Sequence, residues 1–127
     1  MGTALTIAVK RIHEPAGPGD GARFLVDRLW PRGVSKEKAA LAAWLRPLSP
    51  SDVLRKAYHG ETAESDAAWD AFRRAYFAEL DVGGEEMRAA LFVLDAATAA
   101  GPVTLLYAAK SEKRNNAVAL LEWLLQR

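Results

Sequence analysis

The chain has 127 residues, half of them hydrophobic and 26% charged, with a formal net charge of +1 and no cysteine. That length supports one domain around a single core. The balanced charge excludes a global field of the kind that draws a protein onto nucleic acid or anionic membrane, and the missing cysteines remove disulfides, thiolate metal sites and thiol nucleophiles.

Leu5, Ile7 and Val9 alternate with Thr6, Ala8 and Lys10, the pattern of a first strand. A loop rich in glycine and proline follows, from Glu14 to Gly21. A second strand is predicted over residues 23–29, and its continuous run Phe24-Leu25-Val26 implies cover on both faces. The loop is short for a helical crossover, which leaves an antiparallel first pair open as an alternative. Ser35 can open a short helix. Residues 41–48 stay open between helix, favoured by the alanines, and a short edge strand, favoured by Trp44, Pro47 and Pro50.

Ser51 suits the N-cap of a helix carrying Val53, Leu54, Arg55 and Tyr58, with Gly60 as its stop. Trp69, Phe72, Tyr76 and Leu80 recur at spacings of three and four, an apolar stripe on the next helix. After Gly83-Gly84, the acidic pair Glu85-Glu86 opens another helix with Met87, Leu91 and Leu94 on one side, stopped by Gly101-Pro102. Residues 103–108 form a third strong strand. Ser111 is predicted to cap a final helix over residues 112–126, whose broad apolar face, including Trp123, predicts a homodimer contact. The fold class is therefore α/β: three layers, with a small, largely parallel sheet, mixed if the first pair is antiparallel, flanked by helices.

Ligands in open α/β sheets lie beyond the carboxyl ends of the strands. Two such ends are polar here. One is Asp27-Arg28-Leu29-Trp30-Pro31-Arg32-Gly33; the other carries Tyr107, Lys110 and Ser111 ahead of a helix N-terminus. Guanidinium groups match carboxylate and phosphate oxygens in shape and charge, and a helix N-terminus offers free N–H groups. The predicted ligand contacts are Arg28, Trp30, Arg32, Lys110, Ser111 and Asn115, with Trp30 or Tyr107 offering a flat face for a ring. Lys113 and Arg114 would then stand in the first turn of the last helix, where the macrodipole disfavours cations. If there is catalysis, His59 or Tyr107 handles the proton and Asp27 orients an arginine. His13 and His59 make no metal-ligand pattern, and no phosphate loop, nucleophile elbow or dinucleotide fingerprint is present. No metal or cofactor is implied.

The motif around Trp30, then Trp44-Leu45, Pro50-Ser51 with Leu54-Arg55, Trp69 with Phe72-Arg73 and Tyr76, and finally Leu105-Leu106-Tyr107-Ala108-Ala109-Lys110 resemble the DUF488 family in its small YeaO-like branch. The resemblance covers nearly the whole chain. It implies a small cytoplasmic α/β protein and no reaction. Relatives often carry an acidic residue after the lysine and a His-Asn-His-like run before the last helix. Ser111 and Arg114-Asn115-Asn116 stand there in this chain, which leaves Asn115 and Asn116 as polar contacts.

The leading expectation is a cytoplasmic protein that binds a small phosphorylated or nucleotide-like anion, with hydrolase or transferase chemistry left open. Two alternatives stand beside it. One is a nucleic-acid module using Arg55, Lys56, Arg73 and Arg74; the other is a homodimeric interaction protein. No run approaches the ~20 apolar residues that cross a bilayer, and the N-terminus has no signal pattern.

Overall fold

The computed structural model describes residues 6–58 and 65–127. In chain order these form β1 (Ile7–Arg11), β2 (Ala22–Leu25), α1 (Lys36–Ala39), β3 (Ala43–Trp44), a single 3-10 turn (Arg46–Leu48), α2 (Asp52–Tyr58), α3 (Asp66–Val82), α4 (Glu85–Ala100), β4 (Val103–Tyr107) and α5 (Asn116–Gln126). The sheet is fully parallel in the order β1-β4-β2-β3. The largely parallel sheet is thus borne out, and the alternative of an antiparallel first pair is not what forms. β4 inserts between them, pairing Ile7 with Val103 on one side and Ala22 with Val103 on the other. A loop too short for a helix can still join two parallel strands when a third lies between them.

Residues 41–48 resolve into the short edge strand and a turn. Its Pro47 leaves only two residues for pairing before the 3-10 turn begins. β2 is shorter than predicted, ending at Leu25, but its apolar run does face two sides. Phe24 and Val26 join the main core with Tyr76, Leu94, Leu105 and Leu120, while Leu25 joins a smaller cluster with Ile12, Ala39 and Leu106. Helices α3 to α5 cover the first face, and α1 with its flanking loop covers the second, giving unequal layers.

The predicted stripe on α3 is buried at Phe72, Tyr76 and Leu80. Tyr76 is fully enclosed and its hydroxyl donates to the Leu48 carbonyl, tying α3 to the 3-10 turn. Ser35 and Ser65 cap α1 and α3, and the Ser51 hydroxyl accepts the Leu54 N–H at the start of α2. Gly60 lies outside the described residues.

The entry to β2 is sterically exacting. Gly21 has φ +64, and a Cβ there would stand 2.1 Å from the Pro102 carbonyl oxygen. Only glycine allows the β1–β2 loop to pass this close to the start of β4.

The last helix starts later than predicted. Its cap is Asn115, not Ser111: the Asn115 Oδ1 accepts the Val118 N–H at 2.9 Å and its Nδ2 donates to the Ser111 carbonyl at 2.9 Å. Ser111 instead closes a preceding turn by accepting the Arg114 N–H. Lys113 and Arg114 therefore sit before the helix, and the expected clash with its macrodipole does not arise. The broad apolar face of α5 is mostly spent inside the fold. Ala117, Ala119, Leu120 and Leu124 are buried, Leu121 and Trp123 are partly buried, and Leu125 is exposed.

Candidate functional site

Because all strands run parallel, their carboxyl ends share one rim. The ends of β2 and β4 are adjacent there, and the segments leaving them diverge around a pocket of about 300 Å3. Asp27 to Pro31 form one wall, and Ala108, Ala109 and Arg114 to Asn116 form another. Pro50 just before α2, Arg55 and Tyr58 on α2, and Phe72 from α3 complete it.

Asp27 is the keystone of this rim. Its carboxylate accepts the Ala108 N–H at 3.0 Å and the Asn116 Nδ2 at 2.9 Å, and Asn116 also donates to the Val26 carbonyl at 3.0 Å. One side chain thus joins the end of β2, the end of β4 and the first residue of α5. Bonds to a carboxylate are charge-assisted, so each is stronger than a neutral hydrogen bond. Asp27 orients backbone and amide rather than an arginine, a correction to the sequence expectation.

Three arginines open on the pocket, from three different segments. Arg28 is anchored by Nε to the Pro50 carbonyl at 2.9 Å. Arg55 reaches Asp52 at 3.3 Å through one terminal nitrogen, while its Nε is buried with no hydrogen-bond partner among the described residues. Arg114 pairs with Asp66, whose side chain is 93% exposed. Ion pairs with such exposed carboxylates contribute ~0–1 kcal/mol, so a better-placed anion can displace them.

Trp30 lines the pocket with its Nε1 donating to the Val34 carbonyl at 2.8 Å. Its ring meets Trp44 edge-on, with centroids 5.6 Å apart. Tyr58 stacks on Phe72 at 4.5 Å, which gives the opposite wall an aromatic surface.

Most of the remaining expected site residues fall elsewhere. Arg32 is exposed and does not line this pocket. Lys110 and Ser111 border a separate open groove with Asp66, Glu112, Lys113 and Arg114. Asn115 does line the pocket but is buried as the helix cap, so its carboxamide is already occupied. Tyr107 is buried in the sheet; burial first, then the Glu112 and Glu14 carboxylates, raise its pKa above the usual tyrosine value. It does not line the pocket, so neither its proposed proton transfer nor its flat face is available there. His59 lies outside the described residues. Among the described residues no group of acidic or histidine side chains could hold a metal ion. Arg55, Arg114 and Asn116 gain weight instead: the sequence marks Arg55 as part of a basic face and of the family motif, and nothing in local spacing shows that α2 folds over the ends of β2 and β4.

The arginines of the alternative nucleic-acid face each have an acidic neighbour. Arg55 pairs with Asp52, Arg73 with Glu122 and Asp70, and Arg74 with Asp70. No described helix is long and apolar enough to cross a membrane.

Residues 6–127 match a family described as "Inactive DUF488-N3 subclade". The chain belongs to this family. The chain is also similar to curated relatives named as uncharacterised proteins. The chain is 42% identical to Uncharacterized protein YeaO of Escherichia coli over 120 residues, covering 94% of this chain and 97% of that protein. It is 33% identical over 118 residues to Uncharacterized protein Rv3073c of Mycobacterium tuberculosis, covering 93% and 92% respectively. No solved structure matches the chain significantly.

Proposed function

We propose that this DUF488 protein binds a small phosphorylated, nucleotide-like anion in the pocket at the carboxyl ends of β2 and β4, and does not turn it over. The observation that carries this reading is the convergence of Arg28, Arg55 and Arg114 on one pocket whose walls are otherwise aromatic and aliphatic. Guanidinium groups supply charge-assisted bonds to phosphate oxygens. The surfaces of Trp30 and of the Tyr58–Phe72 pair suit a planar ring. A volume of about 300 Å3 is at the small end of ligand pockets, the size for a mononucleotide rather than a polymer.

The lining supports binding without turnover. Apart from the arginines, only Asp27 and Tyr58 among the described lining residues can carry a proton, and Asp27 is committed to holding the rim together. The description "inactive" attached to the family supports the same conclusion. The protein then acts as a binder or sensor of its ligand.

Thermal-shift and NMR titrations with inorganic phosphate, adenosine and adenosine monophosphate test the reading. The monophosphate is expected to bind tightest, because it alone engages both arginines and ring surfaces. Loss of one charge-assisted contact of about 1.5–3 kcal/mol makes Arg55→Ala bind roughly 10- to 100-fold more weakly. Equal responses of parent and Arg55→Ala, or no response to any phosphate, would overturn it.

A further inference from the structure

The inner side of α4 is fully used: Ala90 and Leu94 are buried, and Met87, Leu91 and Ala97 pack against the core. Its outer side is also apolar. Ala89, Phe92, Ala96 and Ala99 are all exposed and, counted from Glu85, recur at alternating spacings of four and three. Phe92 is 76% exposed and Val93 44%. Alternation of four and three is the seam of a coiled coil, and alanines beside a central aromatic let a second helix approach closely. Lone exposed apolar residues need no explanation, but a stripe with this period does.

The charges beside the stripe decide what fits it. Arg88 and Asp95 lie on the same edge, seven residues apart, and Val93 and Ala100 lie on the other. When two identical helices pack antiparallel, like edges face each other. Centring the pair on Phe92 brings Arg88 of each copy opposite Asp95 of the other to within one residue of register. A parallel pair would instead set Arg88 against Val93, with no complement. Asp95 already pairs with Arg127 of its own chain, and a carboxylate has lone pairs left for a second guanidinium.

We propose that the outer face of α4 is the contact through which two copies of this chain associate as an antiparallel helix pair centred on Phe92. The stripe from Glu85 to Ala99 is roughly 22 Å long at about 1.5 Å per residue. With a contact strip ~10 Å wide, each copy contributes roughly 220 Å2, far below the ~800 Å2 per partner of a tight complex. The dimer is therefore weak and depends on concentration.

Sedimentation analysis from about 10 µM to about 1 mM is the test, in the range where weak complexes populate. The full chain is expected to pass from monomer to dimer across this range. Phe92→Asp should weaken association at least ~10-fold, and so should Ala96→Glu on the same stripe. Both positions are exposed, so melting temperatures should match the parent's and separate lost association from lost folding. Added salt should weaken association of the parent but not of Arg88→Ala. A strict monomer at about 1 mM, or stripe variants that associate as the parent does, would overturn the proposal.

Discussion

Three side chains show how single residues hold this molecule, and each carries a prediction. Tyr76 is fully buried, and burial, reinforced by Asp27 and Glu79, pushes its pKa well above the usual phenol value. It therefore stays a donor to Leu48. Tyr76→Phe leaves that carbonyl unsatisfied and should cost about 1–2 kcal/mol, read by chemical denaturation. Asp27→Ala strands the Ala108 N–H and the Asn116 amide together, and should cost about 2–3 kcal/mol; Asp27→Asn should cost less, since it can still accept. Asp20 is the acid-sensitive residue. The Gly17 N–H, then Lys10 and Arg23, hold its pKa down from 3.8 to about 2, against the opposing effect of burial. With the folded value depressed, the unfolded chain binds the proton more readily as pH falls. The stabilisation is present above about pH 4 and is lost between about pH 4 and 2. The difference in melting temperature between the parent and Asp20→Asn should therefore shrink across that window; a constant difference contradicts the assignment.

At the scale of elements, legibility tracked the range of the interactions involved. The stripes of α3 and α4 and the apolar runs of β2 and β4 were readable because local periodicity reports burial directly. The start of α5 was not. Ser111 and Asn115 are both good caps, and the choice depends on Asn116 bonding Asp27 from 89 residues away. Strand order was not readable for the same reason: the insertion of β4 between β1 and β2 is set by a segment about eighty residues downstream. The site was half readable. Asp27, Arg28 and Trp30 follow one strand and were found together, but Arg55 reaches them only through the docking of α2. Asn115→Ala removes the cap of α5 and a buried bond to Ser111. The expected loss is about 1–2 kcal/mol, with faster hydrogen exchange confined to the first turn of α5. An unchanged exchange pattern would return the cap to Ser111.

For the molecule as a whole, a parallel sheet gathers every strand end on one rim, where Arg28, Arg55 and Arg114 give a chain of near-zero net charge a local concentration of cations. Among the described residues, Arg28 is held by a backbone carbonyl, and Arg55 and Arg114 pair with exposed acids. Three such guanidinium groups would offer a phosphate a few charge contacts. Binding should therefore weaken with salt as a few charge contacts would, not with the steep slope of a polymer interface. The most direct measurement is a crystal structure of the protein with adenosine monophosphate. The account predicts the phosphate among Arg28, Arg55 and Arg114, with the ring against Trp30 or the Tyr58–Phe72 pair. A ligand seated elsewhere, or a pocket left empty at saturating concentration, would contradict it.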